Sequence, residues 1–154
     1  MKKTFYIWIF LSLISKLGFS QSVNLVIQVN EKLVYDEVTA MYLLFGSGNE
    51  EKRVSVRYVP GDLILDEKAW ALINSDTLNK FSLHFDFNTY SKNNHEIANF
   101  CVDLTKQQLK QSYLILNIYD FRDKKYRHWY KGLTDKDFLA ELRYSNSGIY
   151  IRNK

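Results

Sequence analysis

The chain has 154 residues, enough for one ordinary domain with a single core once an N-terminal leader is set aside. Its formal charge of +4 is carried largely by that leader: without Lys2, Lys3 and Lys16, 18 basic residues face 17 acids, a balance near +1. Nucleic-acid binding runs on clustered, uncompensated positive charge, so that partner class is excluded.

Lys2 and Lys3 form a positive n-region and residues 4–14 are an apolar run, broken in polarity only by Thr4 and Ser12. Gly18-Phe19-Ser20 then places small residues at −3 and −1 of a cut between Ser20 and Gln21. This is the layout of a secretory signal peptide, with an apolar run too short to span a membrane. No cysteine follows the cut, which argues against lipoprotein processing. Residues 1–20 are expected to be removed, leaving 21–154 as one exported domain, periplasmic or extracellular, with no stable membrane span.

Period-two alternation dominates the rest. VNLVIQV (23–29) and VTAMYLLF (38–45) read as the first strands, the second closed by GSGN. RVSVRYV (53–59) alternates Val54, Val56 and Tyr58 against Arg53, Ser55 and Arg57, and stops at Pro60-Gly61, a strong turn dipeptide. In DEKAWALIN (66–74) the spacing turns helical: Trp70 and Ile73 share a face and Asp66 can cap, which predicts one short helix there. Asp76-Thr77-Leu78 resembles an O-glycosylation acceptor of exported bacterial proteins, which marks Thr77; the same three residues also suit an ordinary turn. FSLHFDF (81–87) puts Phe81, Leu83, Phe85 and Phe87 on one face and Ser82, His84 and Asp86 on the other, as in an antiparallel sheet wet on one side.

IANFCVDL (97–104) continues as a strand. It holds Cys101, the single cysteine, which can form no internal disulfide and is expected to be a small buried hydrophobe. TKQQLKQ (105–111) is either a helical turn or a polar connection. YLILNIYDF, YRHWY, FLAELRY and GIYI complete the strands. So many short strands, frequent turns and almost no helix predict an all-β, two-sheet antiparallel sandwich. Leu109 stands four residues ahead of Tyr113, with an alternating strand behind it. This resembles the tyrosine corner of immunoglobulin-like and fibronectin-III-like sandwiches, and the resemblance implies that Tyr113 locks a sheet corner through its hydroxyl. The Cys…Trp…Cys core of true immunoglobulin domains is absent.

The stretch 112–130 reads as a hairpin, SYLILNIYDF turning at RDKK into YRHWY. On a strand, Tyr126, His128 and Tyr130 lie on the face opposite Trp129. With Trp129 as the structural, buried member, the trio forms an exposed aromatic stripe suited to contact with a ligand or partner. With the tyrosines inside, Trp129 lies outside between Arg127 and Lys131.

His84, His95 and His128 stand in no metal-ligand spacing, and neither a glycine-rich phosphate loop nor a G-x-S-x-G elbow occurs. No catalytic residue, metal or cofactor is implied; spatial convergence of His84, Asp86 and another acid is the one arrangement that spacing leaves open. The expectation is a non-catalytic exported interaction module, an accessory subunit of an envelope complex or an inhibitor of a protein partner. The alternative is a carbohydrate-binding module using exposed aromatics of the 112–131 hairpin.

Overall fold

The structure, a computed structural model, describes residues 21–46, 51–75, 80–91, 94–133, 136–145 and 147. The leader, Thr77 and the GIYI segment lie outside them.

Two sheets pack face to face. One has the order β10-β9-β1-β6-β5, with the short β2 paired to β1; the other has the order β4-β3-β7-β8. In chain order the strands are β1 Gln21–Val29, β2 Lys32–Leu33, β3 Val38–Phe45, β4 Lys52–Ser55, β5 Arg57–Val59, β6 Gly61–Leu65, β7 Lys80–Ser91, β8 Asn94–Thr105, β9 Leu114–Asp120 and β10 Phe138–Tyr144. Helix α1 spans Glu67–Asn74, α2 Lys106–Leu109 and α3 Lys124–Trp129. The expected sandwich is what forms, antiparallel except that β1 runs parallel to β9.

The inner faces follow the alternation. Val23, Leu25, Ile27 and Val29 of β1 are buried, as are Leu114, Leu116 and Ile118 of β9; the parallel register sets Leu25 beside Leu114 and Ile27 beside Leu116. Across from them lie Leu43 and Phe45 of β3, Phe81, Leu83 and Phe85 of β7, and Phe100, Val102 and Leu104 of β8. Each such side chain contributes ~1.5–3 kcal/mol on leaving water. Val54, Val56 and Tyr58 point inward as the period predicts, but RVSVRYV is not one strand. At Val56, whose N–H donates to the Met41 carbonyl (3.1 Å), the chain leaves the β4 sheet and joins the other as β5. That crossing closes one long side of the sandwich covalently. The opposite side ends in two edge strands, β8 and β10, whose Phe100 and Phe138 meet edge to face at 5.0 Å.

Helix α1 starts where expected: Asp66 caps it by accepting the Ala69 N–H at 2.7 Å, and Ala69 and Ile73 are its buried side. The 105–111 segment resolves to a helical turn, α2, with a reciprocal capping box between Thr105 and Gln108. Gly61, at φ +98°, makes the turn after Pro60 in a conformation that side chains other than glycine resist. No helix among the described residues is long and apolar enough to cross a membrane.

The return segment YRHWY is not a strand. Asp123 caps by accepting the Lys125 N–H (2.9 Å), and residues 124–129 coil as α3. The face assignment therefore reverses: Tyr126 is buried at 2% exposure, while Trp129, one turn further on at the end of the helix, stands 53% exposed. Tyr113 is 44% exposed, and its hydroxyl bonds to no described residue, so it forms no corner lock. Cys101 is not buried either. Phe100, Val102 and Leu104 occupy the inner face of β8, and alternation puts Cys101 on the outer one.

Candidate functional site

The feature that distinguishes this sandwich is the edge strand β8. It pairs with β7 in an unbroken twelve-pair register, without a bulge, and no described strand lies on its other side. Half of its N–H and C=O groups therefore point away from the sheet. Proteins usually blunt such edges with lysine, proline, bulges or brevity. The other edges here do so: β4 carries Lys52 and Arg53, β5 has three residues, and β10 carries Arg143. The β8 sequence NHEIANFCVDLT has no lysine, arginine or proline. Its outer face shows Ile97, 52% exposed, then Asn99, Cys101 and Asp103. Asn99 donates to Asp86 on β7 (2.6 Å).

Beside this edge, register brings together residues distant in sequence. The Arg53 guanidinium lies 3.6 Å over the Tyr42 ring, and Tyr42 stacks on His84 with centroids 4.7 Å apart and planes 7° from parallel. His84 Nε2 is 2.9 Å from Ser82 Oγ and 3.4 Å from Cys101 Sγ. Burial, and next the Arg53 charge, hold the His84 imidazole below its ordinary value; burial pushes the Cys101 thiol up, against a hydrogen bond from Ser82. A nucleophilic cysteine needs the opposite shifts, toward thiolate and imidazolium. Here both shifts favour the neutral forms. Asp86 does not join His84; it is engaged by Asn99.

At one end of the sandwich a cleft of about 980 Å³ opens between the β1–β2 turn, the β7–β8 hairpin and α3. Asn30 and Glu31 form the β1–β2 turn with φ of +53° and +66°. Asn30 Oδ1 accepts the Asp120 N–H (2.8 Å), which fixes the turn against β9. The Glu31 carboxylate accepts from Lys125 Nζ and the Tyr126 hydroxyl, both at 3.1 Å, and these bonds hold its pKa below the usual range. Asp120, buried, grips Arg122 through Nε at 2.9 and 3.0 Å. Asn88, also buried, donates to the Glu37 carbonyl and Thr39 Oγ1, and its Oδ1 meets His95 Nε2 at 2.9 Å. Glu31, Lys125, Tyr126, Asp120, Arg122 and Asn88 in the cleft are thus engaged by neighbouring side chains. Tyr90, 71% exposed and stacked on His95 at 4.6 Å, is the open aromatic surface at its rim.

Of the residues singled out in the sequence, Tyr126, Trp129 and Tyr130 do come together, but as a packed cluster. Tyr126 meets Trp129 edge to face at 5.5 Å, while Tyr119 touches both Tyr126 and Tyr130. Lys125 Nζ lies 4.5 Å over the Trp129 ring. The expected stripe of Tyr126, His128 and Tyr130 does not exist, since only His128 of the three is exposed. Tyr113 and Thr77 belong to none of these groupings. Sequence reasoning missed the β8 edge and the Tyr90–His95 pair. The absence of Lys and Pro across residues 94–105 was the available signal for the first. Among the described residues no three His, Cys, Asp or Glu side chains gather as a metal site.

No protein-family model matches the chain, and neither a curated protein nor a solved structure shows significant similarity to it.

Proposed function

We propose that the chain is a non-catalytic, exported protein-interaction module that takes an extended segment of its partner as an added strand along β8. An accessory subunit of an envelope complex and an inhibitor of a protein partner both fit this reading. The observation that carries it is the twelve-residue, bulge-free edge without lysine, arginine or proline. Main-chain hydrogen bonds there give affinity, and alternating side chains give selectivity. The neutral His84–Cys101 pair supports the non-catalytic part, and the cleavable leader with a near-neutral remainder supports export to the periplasm or beyond. The immunoglobulin-like likeness is kept at the level of architecture, two packed sheets. The interior position of β1, beside β9 and β6, differs from an order in which the first strand lies at an edge.

The test is capture from envelope extract with the processed chain as bait, beside an Ile97→Lys/Asn99→Lys variant whose lysines protect the edge. Partners retained by the first and lost by the second are expected. Equal capture by both sinks the proposal.

A second reading, a glycan module, draws on one observation: the exposed Tyr90 ring stacked on His95 beside Asn88. It moves the aromatic platform from the 112–131 hairpin to the β7–β8 hairpin. Quenching of binding to immobilised oligosaccharide by Tyr90→Ala is the result it requires.

A further inference from the structure

We infer that β8 pairs antiparallel with β8 of a second copy of this chain, about a two-fold axis at Cys101. The inference rests on the reading of β8 as a docking edge and names the occupant. A two-fold axis normal to the sheet keeps both cores on one side, so only residues of like parity can oppose each other. Among the registers this allows, Glu96 and the length of the joint decide: centring at 102 or beyond also leaves Glu96 unpaired but shortens the paired stretch to 99–105 or less. Centring the axis at residue 99 or 100 sets the Glu96 carboxylate on the core side against Val102 or Leu104 of the second copy. Centring at 101 leaves Glu96 beyond the paired stretch 97–105.

That register is self-complementary along its length. Phe100 opposes Val102 and Ala98 opposes Leu104 on the inner face, all four already part of the core. On the outer face Asn99 opposes Asp103, twice by symmetry, an amide donor against a carboxylate. Neither pair sets like charges together, which is what would disfavour it. The half-buried Phe138, packed on Phe100 at the open side of the sandwich, lies next to the joint. Cys101 faces its own copy directly, at the Cα separation of opposed antiparallel residues, roughly 4.5–5.5 Å, which lies within the span a disulfide bridges. The cysteine is thereby a built-in reporter of the axis rather than the cause of pairing.

The experiment uses the processed chain purified from cells expressing the full sequence. Sedimentation is measured from about 1 to 500 μM, the range for a small, weak interface. Oxidised glutathione serves as oxidant. One Cys101 thiolate attacks it and releases a glutathione thiol; the second copy's Cys101 thiolate attacks the mixed disulfide and releases another. Two protein thiols are oxidised, one glutathione disulfide is reduced to two thiols, and the two protons lost from the protein thiols are taken up by the departing glutathione thiolates.

The expected result is a reversible dimer that persists in Cys101→Ser and is trapped through Cys101 in the unsubstituted chain. Asn99→Asp opposes a carboxylate to Asp103 of the second copy, twice by symmetry, and should weaken the dimer about tenfold; because residue 99 also faces Asp86 of its own chain, the Asn99 variants are made and compared in an Asp86→Asn background. Asn99→Asp/Asp103→Asn should restore it, and Asp103→Asn alone should keep both fold and dimer. A monomer throughout, or a dimer indifferent to Asn99→Asp, overturns the inference. A monomer whose partner capture is still abolished by Ile97→Lys/Asn99→Lys overturns self-pairing alone; capture indifferent to those lysines overturns the docking edge itself.

Discussion

Truncating Tyr126 should unfasten α3, and the size of the effect follows from what the side chain touches. It is the buried residue of that six-residue helix, too short to persist in water without a tertiary anchor. Its ring packs on Tyr119 and Trp129, Lys125 lies 4.7 Å over its face, and its hydroxyl donates to Glu31. Removing a buried aromatic ring costs ~3–5 kcal/mol. The hydroxyl bond alone, probed by Tyr126→Phe, should cost ~0.5–1.5 kcal/mol, since Glu31 keeps Lys125 as a partner. Trp129, half exposed, should cost ~1 kcal/mol or less as Trp129→Ala, because about half of its surface already meets water. Urea unfolding of the three variants measures this directly. With a slope of roughly 1–3 kcal/mol/M, a 3 kcal/mol loss moves the midpoint down by about 1–3 M. If Trp129→Ala lowers the midpoint more than Tyr126→Ala, Tyr126 is not the anchor of α3 and the reasoning fails.

Gly61→Ala should destabilise by ~1–2 kcal/mol from the left-handed backbone alone, since a Cβ there meets nothing within 4 Å. Gly132→Ala, equally uncrowded and without the positive φ, should be near neutral; equal midpoints for the two would refute a backbone cause. His84 should titrate by NMR below 6.5, and Arg53→Gln should raise its midpoint part of the way, burial being the larger cause. A depressed histidine means that the unfolded chain binds the extra proton. Its contribution is therefore present above 6.5 and is lost as pH falls through the folded-state value, modestly, because the ring is only partly buried; a midpoint above 6.5 contradicts the environment described. Cys101 should react with a disulfide reagent in the folded protein, slowly at neutral pH and faster as pH rises toward its raised value; a thiol silent until denaturation would place it in the core.

Alternation by itself determined most of the sandwich. The inner faces of β1, β7 and β9 follow from residues two apart, because a strand buried on one side has no other way to satisfy its apolar side chains. Asp66 marked α1 because its carboxylate is the acceptor that free helical N–H groups need. The exposure of Cys101 was also legible: the parity of Phe100 and Val102 puts it outside, and residue-type preference for burial yields to parity when neighbours hold the inner face. At residues 124–129 the sequence was ambiguous, since Tyr126, His128 and Tyr130 fit a two-residue period and Tyr126, Trp129 and Tyr130 a helical one over so short a span; Asp123 as a cap was the discriminating signal. The strand β6, Gly61–Leu65, hid because Leu63, Ile64 and Leu65 run together without alternation. What only the tertiary structure decided is pairing: β1 beside β9, the crossing at Val56, and the meeting of Arg53, Tyr42, His84 and Cys101. Such contacts join segments far apart in the chain, and each depends on a register that one residue's slip would turn inside out. The free edge of β8 is of the same kind, for a strand is an edge only by virtue of where every other strand has gone.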